Sequence, residues 1–379
     1  MPAMKTELIL HDRSLELLRF PEKSGETLQA WDAGDEYLIN HVEEMALPDG
    51  KNILILNDHF GALSCWFSQN HHVTMMTDSF ISTQGTRLNL ERNGSPDITL
   101  LKSTEAIPAS IDLVLIQLPK SNRYLTWQLA QLRDALAPSI PIIAVNKAKE
   151  IHSSTLKIFE KYLGNTTTSL AWKKHRLIFS QPDCQPIYPV EPTTHWDVEK
   201  ENMTLGNLAN VYSGESLDLG ARLMLEHIPS NPDYQHIIDL GCGNGVLSVK
   251  AARLNPNAKI TCVDESYMAV KSARENLRNN LDDDSNVECV ANNCLDDFEG
   301  QQASLILCNP PFHQQQAITD HIAWQMFCDA KQVLAKGGQL IVIGNRHLGY
   351  DGKLTRLFSN NQVKGIASNK KFVILQATK

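Results

Sequence analysis

Apolar residues in the second half of the chain fall into short blocks separated by longer stretches of mixed character. Blocks at 236–240, 259–264, 287–291, 304–309 and 339–344 are rich in Ile, Val, Leu, Ala and Cys and are bounded by turn formers. Such runs suit strands covered on both faces. Helical spacing of apolar residues occupies 215–228, 246–254, 266–279 and 320–335, and Lys336-Gly337-Gly338 reads as a stop and turn. Strands alternating with helices predict an α/β fold with a doubly wound, mainly parallel sheet. Ligands then bind at the carboxyl ends of the strands.

The candidate chemistry lies at those ends. The strand at 304–309 stops on Asn309-Pro310-Pro311-Phe312-His313. A planar exocyclic amine is a poor nucleophile because its lone pair is delocalised into the ring. The Asn309 amide oxygen and the Pro310 carbonyl can accept its two N–H bonds together and present the nitrogen to an incoming methyl. The prolines fix φ and remove backbone donors. Phe312 is placed to stack on a flat substrate, and His313 to assist base binding or proton loss. Upstream, Asp239-Leu240-Gly241-Cys242-Gly243-Asn244-Gly245 joins a strand to a helix. Its glycines permit positive φ and let a ligand press against bare backbone. A dinucleotide site would show the same glycines. Asp239, however, suits the cationic aminopropyl end of S-adenosylmethionine and would repel a pyrophosphate. Asp264 and Glu265 end the next strand and suit ribose hydroxyls, Asn293 suits the adenine, and Asn309 borders the same cofactor.

With these motifs in this order, the chain resembles the class I S-adenosylmethionine-dependent methyltransferases, specifically the bacterial ribosomal RNA guanine-N2 methyltransferases. The stretch from Asn210 through Tyr212, Asp218 and Gly220 to Arg222 resembles that family's lead-in segment, and Asn309-Pro310-Pro311-Phe312-His313 its catalytic signature. The resemblance runs end to end and is closer to large-subunit than to small-subunit members, a choice no physical argument makes. It implies direct transfer of a methyl to the exocyclic N2 amine of a guanine in 23S ribosomal RNA. Alternatives are a 16S guanine, adenine N6 or a protein glutamine, all flat amines. A non-enzymatic alternative is a ribosome-assembly scaffold, against which the intact Asp239, Gly241, Gly243, Asp264, Asn293 and Asn309 set argues.

The first half repeats the pattern. Ile53 to Ser64 aligns with Ile238 to Ser248, Asp78-Ser79-Phe80 with Asp264-Glu265-Ser266-Tyr267, and Leu88 to Asn93 with Glu275 to Asn280. Leu118-Pro119-Lys120 falls on Asn309-Pro310-Pro311, and Asn146-Lys147 on Asn345-Arg346. Two tandem Rossmann-like methyltransferase domains follow, the first degenerate. Only Gly61 survives of the turn glycines, His59 and Phe60 would fill the cofactor's space, and Leu118 cannot accept from an amine. The expected boundaries are a noncatalytic domain over 1–180, a linker over 181–194 carrying four prolines, and a catalytic domain over 195–379.

Composition changes little of this. The 379 residues allow about two domains, and 42% hydrophobic content is ordinary for a globular chain. The N-terminus lacks the apolar core of a signal peptide, and no run approaches the ~18–20 apolar residues of a membrane helix. A cytoplasmic monomer is expected. Eight cysteines form no Cys-x-x-Cys pair and thirteen histidines show no ligand spacing, so no metal is expected. Net charge is −8, and residues 1–190 carry 18 Lys+Arg against 21 Asp+Glu. Contacts to ribosomal RNA must then be local patches. Candidates are Lys173, Lys174 and Arg176 in the first half, an RNA platform, and Arg346, Lys370 and Lys371 in the second.

Overall fold

The computed structural model describes residues 5–23, 25–183, 186–311 and 316–379, with only the backbone for 316–320. The chain divides into two units, the first ending at Pro192 and the second starting at Thr193. The first contains β1 (Glu7–Leu10), β2 (Arg13–Glu16), α1 (Ala33–Glu44), β3 (Asn52–Leu56), α2 (Ala62–Phe67), β4 (His72–Thr77), α3 (Phe80–Arg92), β5 (Thr99–Lys102), β6 (Leu113–Gln117), α4 (Asn122–Ala135), β7 (Ile142–Lys147), α5 (Ser153–Tyr162), β8 (Thr167–Thr168) and β9 (His175–Ser180). The second contains β10 (Thr193–Val198), β11 (Met203–Leu208), α6 (Leu219–Leu225), β12 (His236–Leu240), α7 (Val246–Leu254), β13 (Lys259–Asp264), α8 (Tyr267–Asn280), β14 (Val287–Ala291), β15 (Ala303–Cys308), α9 (Gln316–Val333), β16 (Leu334–Asn345), α10 (Tyr350–Phe358), β17 (Val363–Ser368) and β18 (Phe372–Thr378).

Each unit holds a seven-stranded sheet of the same order, β5-β4-β3-β6-β7-β9-β8 in the first and β14-β13-β12-β15-β16-β18-β17 in the second. Five strands are parallel, and the last two join antiparallel. Both faces are covered, which explains the unbroken apolar runs. In the second sheet Ile237, Leu305, Leu307, Ile341 and Ile343 pack with α6, α7 and α8. Ile238, Ile306, Cys308, Leu340 and Val342 pack on the other face with α9 and α10.

Several expectations are corrected. The proline-rich segment belongs mostly to the first unit: Pro182 and Tyr188 carbonyls accept from Ser139 and Arg133 there, and Thr193 already starts β10. Helix α6 is shorter than 215–228 because the Asp218 side chain accepts from the Ala221 N–H and caps it. Gly337, at φ +80, forms a bulge inside β16 where its pairing with β15 shifts register.

The registers also refine the repeat. Ile53 pairs with Leu113 where Ile237 pairs with Leu305, so Gln117 occupies the place of Asn309, and Leu118 that of Pro310. Ser79 and Ser266 both cap the following helix, so Thr77 stands at the place of Asp264 and Asp78 at that of Glu265. Lys147, not Asn146, matches Asn345.

A hairpin belongs to the repeat as well. Asn276 accepts from the Gly206 N–H and donates to the carbonyls of Gly206 and Asn244. Asn89 accepts from the Leu18 N–H and donates to the carbonyls of Leu18 and Phe60. Asn280 and Asn93, one turn on, grip Thr204 and Glu16 in the same way. In both units one helix thus ties the strand-to-helix turn to the hairpin. Removing a clamp leaves several backbone groups unmade, so Asn276→Ala and Asn89→Ala should each cost on the order of 3 kcal/mol. Urea unfolding checks this; losses under about 0.5 kcal/mol would contradict it.

Candidate active site at the strand ends of the second unit

The turn after β12 needs its glycines. Gly241, Gly243 and Gly245 have φ of +76, +54 and +79. The N–H groups of Gly241 and Cys242 both donate to the Val263 carbonyl, at 2.8 and 3.0 Å, which pins the turn to β13. A Cβ at position 245 would lie 3.0 Å from Ala273, whereas one at 243 would meet nothing within 4 Å. The turn is therefore closed against α8 and open at Gly243. Asp264 stands at that opening, one oxygen accepting from the Gly243 N–H at 2.9 Å and the other from the Ser266 N–H at 3.0 Å. Glu265 beside it is exposed.

Three of the expected cofactor residues are buried. Asp239 is 1% exposed, behind the turn. One carboxyl oxygen accepts from the Ser248 hydroxyl at 2.5 Å, and the other has no partner among the described residues. Burial pushes its pKa up to about 7. Asn244 turns its side chain to Asn207 and to the Val246 N–H, so it braces the turn. Asn293 is buried with its amide nitrogen directed to Asp296, closing a short turn.

At the end of β15 the Asn309 amide nitrogen faces Asp218 at 3.4 Å. A carboxylate only accepts hydrogen bonds, so this contact fixes which end of the amide is which. The oxygen is left buried, with no partner among the described residues. Pro310 is buried and Pro311 exposed. Phe312 and His313 lie outside the described residues. In the sequence Asp218 stands out only as part of a lead-in segment. It falls inside the helical run expected over 215–228, and nothing local marks its capping role or its reach to Asn309. Partial burial, and then the neighbouring Asp218, raise the hydroxyl pKa of Tyr212, which is 55% exposed.

Comparison with known proteins identifies the family. Residues 5–184 match the family described as RLMG N-terminal domain, and 202–376 the methyltransferase small domain. A ribosomal RNA large subunit methyltransferase G of Vibrio vulnificus is 69% identical over 99% of this chain and 100% of its own length, and one of Vibrio parahaemolyticus is 68% identical over 99% and 98%. The chain belongs to the ribosomal RNA large subunit methyltransferase G (RlmG) family. It is accordingly an S-adenosylmethionine-dependent methyltransferase. The fold is shared with a Thermus thermophilus 16S rRNA N2 G1207 methyltransferase (RsmC) solved with AdoMet and guanosine, at TM-score 0.78 and 20% identity, over 99% of this chain and 97% of that one.

The same strand ends in the first unit of this family member are filled by its own side chains. Gln117, at the place of Asn309, donates to the buried Asp35. Asn57, at the place of Gly241, forms a reciprocal amide pair with Gln128, at 3.2 and 3.0 Å. Phe60 turns inward toward Gly85 and Phe20, and His59 is exposed. The Asn57–Gln128 pair and the Gln117–Asp35 contact, rather than His59 and Phe60, take up the space. Thr77 carries no charge where Asp264 does.

The basic candidates gather at equivalent turns. The Ala148 N–H donates to the Lys174 carbonyl before β9, and the Arg346 N–H to the Lys371 carbonyl before β18. Lys173-Lys174 and Lys370-Lys371 therefore occupy the same place in the two units. Lys173 is held by Glu36 at 2.6 Å, the Arg176 Nε is buried, and Arg346 donates to the Asn369 carbonyl. Among the described residues no helix is long and apolar enough to cross a membrane.

Asp239 generates a pH prediction. An unfolded aspartate titrates near 3.9, and the folded one at about 7. The folded state holds the proton more tightly, so this contribution to stability is full below about pH 4 and is lost as pH rises through about 7. Asp239→Asn, which stays uncharged, should gain stability relative to wild type across that window and level off above it. Urea unfolding at several pH values reads this; parallel pH profiles would contradict it.

Proposed function

We propose that the second unit transfers a methyl group from S-adenosylmethionine to the exocyclic N2 amine of a specific guanine in 23S ribosomal RNA, and that the first unit is noncatalytic. The observation that carries the reading is the Asn309 amide oxygen, buried without a donor among the described residues and held in orientation by Asp218. A buried acceptor left unmade costs about 1–3 kcal/mol, so such a site is primed for a donor such as an amine N–H. S-adenosylmethionine supplies an electrophilic methyl on a sulfonium. Asp264, with the open backbone at Gly243, would hold the ribose, and Asp239 keeps one acceptor behind the turn.

Asn309 and the Pro310 carbonyl would accept the two amine hydrogens and keep the nitrogen lone pair free of the ring. Proton loss follows transfer, and His313 is the residue beside the signature that could take it. Phe312 would stack on the base. A base within a duplex cannot enter such a site, so the target must be looped or flipped out. Cys308 faces the opposite side of the sheet, which agrees with transfer that has no covalent enzyme intermediate. The guanine in preference to adenine or glutamine, and the large subunit in preference to the small, rest on the family's relatives. The proposal includes RNA phosphate contacts from Lys173, Lys174, Arg176, Arg346, Lys370 and Lys371, action as a monomer, and work in the cytoplasm where ribosomes assemble.

The test is methylation of 23S rRNA by purified protein, mapped by mass spectrometry. Asn309→Ala should bind S-adenosylhomocysteine within about twofold of wild type yet transfer methyl roughly 10²–10³-fold more slowly, as expected when one preorganised polar group is removed. Unchanged turnover would remove Asn309 from the mechanism. In the same system, neutralising Lys370 and Lys371 should flatten the log–log salt dependence of RNA affinity by about 0.7 for each phosphate that is no longer neutralised. An unchanged slope would take the turn off the RNA face.

A further inference from the structure

Three buried side-chain atoms of the second unit lack a hydrogen-bond partner among the described residues: one oxygen each of Asp239, Asn309 and Asn345. All three are acceptors. They lie at the carboxyl ends of β12, β15 and β16, which are consecutive neighbours in the sheet. They also share a face. Ile237, Leu305, Leu307, Ile341 and Ile343 all pack into the layer with α6, α7 and α8. Side chains alternate along a strand, so Asp239, Asn309 and Asn345 extend those rows. The first two already have places in the reaction. Asn345 does not.

Asn345 is 8% exposed and lies at the rim of the site. Cys308 is in register with Val342, so Asn309 falls level with Ile343 and Asn345 two residues beyond it. With strand rise and spacing, the two asparagines sit roughly 8 Å apart at Cα, enough for a base edge between converging amides. The first unit has no such pair, since Gln117 is spent on Asp35 and Lys147 replaces Asn345.

We propose that Asn345 reads the target base by accepting its ring N1–H, next to the amine held by Asn309. This rests on the guanine-N2 reading and adds its specificity. Guanine presents adjacent donors at N2 and N1. Adenine pairs its amine with a bare N1 acceptor, which would face the Asn345 oxygen and leave it unmade. A row of acceptors therefore accepts guanine and rejects adenine.

The test uses full-length protein and 23S rRNA assembled with either guanosine or 2,6-diaminopurine at the target position. Diaminopurine keeps the C2 amine but has no N1–H. Wild type should prefer guanosine by roughly tenfold to a hundredfold in kcat/KM, the worth of one desolvated hydrogen bond. Asn345→Ala should lose most of that rate on guanosine and almost none on diaminopurine, so the preference collapses. Asn345→Asp, which keeps an acceptor, should restore part of it. Affinity for S-adenosylhomocysteine should stay within about twofold, which also confirms folding. Equal losses on both substrates would show that Asn345 only supports the fold or holds a water, and would overturn the proposal. If wild type methylates neither substrate at the C2 amine, it is the guanine-N2 reading that fails.

Discussion

A carboxylate can accept hydrogen bonds but not donate them, and the site depends on that asymmetry at Asp218. By taking the Asn309 amide nitrogen, Asp218 leaves the amide oxygen pointing where no donor among the described residues reaches it. An asparagine free to rotate would offer either end to a substrate and orient nothing. Asp218 is itself held by the helix it caps, through the Ala221 N–H. Helix α6, the end of β15 and the Asn309 amide oxygen are thus one mechanical unit. Orientation is built before any substrate arrives, which is how preorganised polar groups lower a barrier.

The duplicated fold separates frame from chemistry. Both units keep the same sheet order, the same left-handed glycine at the start of the helix (Gly61 and Gly245), and the same asparagine clamp on a hairpin. Both also place a serine of that helix against a buried aspartate. In the second unit Ser248 meets Asp239 from the strand, and in the first Ser64 meets Asp58 from the turn. The polar contact under the turn is retained although its residue has moved three positions along the repeat. What differs is what faces the strand ends. In the first unit Asn57 and Gln128 satisfy each other and Gln117 donates to Asp35, and in the second three acceptor oxygens have no partner among the described residues.

Much of this is legible in the chain. The strands at 236–240, 259–264 and 287–291 and the helix at 246–254 stand where their apolar runs and flanking glycines put them. The hairpin β10–β11 and the edge strand β17 carry weaker signals, because they expose one side and need no continuous apolar run. Sequence alone misregisters the degenerate site by one residue at Gln117, since a shared proline aligns more visibly than a strand end does. Asn244 and Asn293 sit in loops where a cofactor contact is expected, and each also makes a hydrogen bond within its loop. Loops also need internal hydrogen bonds, and only coordinates show which asparagine is spent on them.

The central claim is one frame used twice with a single open site. Calorimetric titration of the full-length protein with S-adenosylhomocysteine tests it most directly. One molecule should bind per chain, and Asp264→Ala should weaken that binding by roughly tenfold or more through removal of a charged acceptor. Two molecules bound per chain would mean that the first unit is open after all. No binding would mean that the turn at Gly241–Gly245 holds no cofactor, contradicting the account at its base.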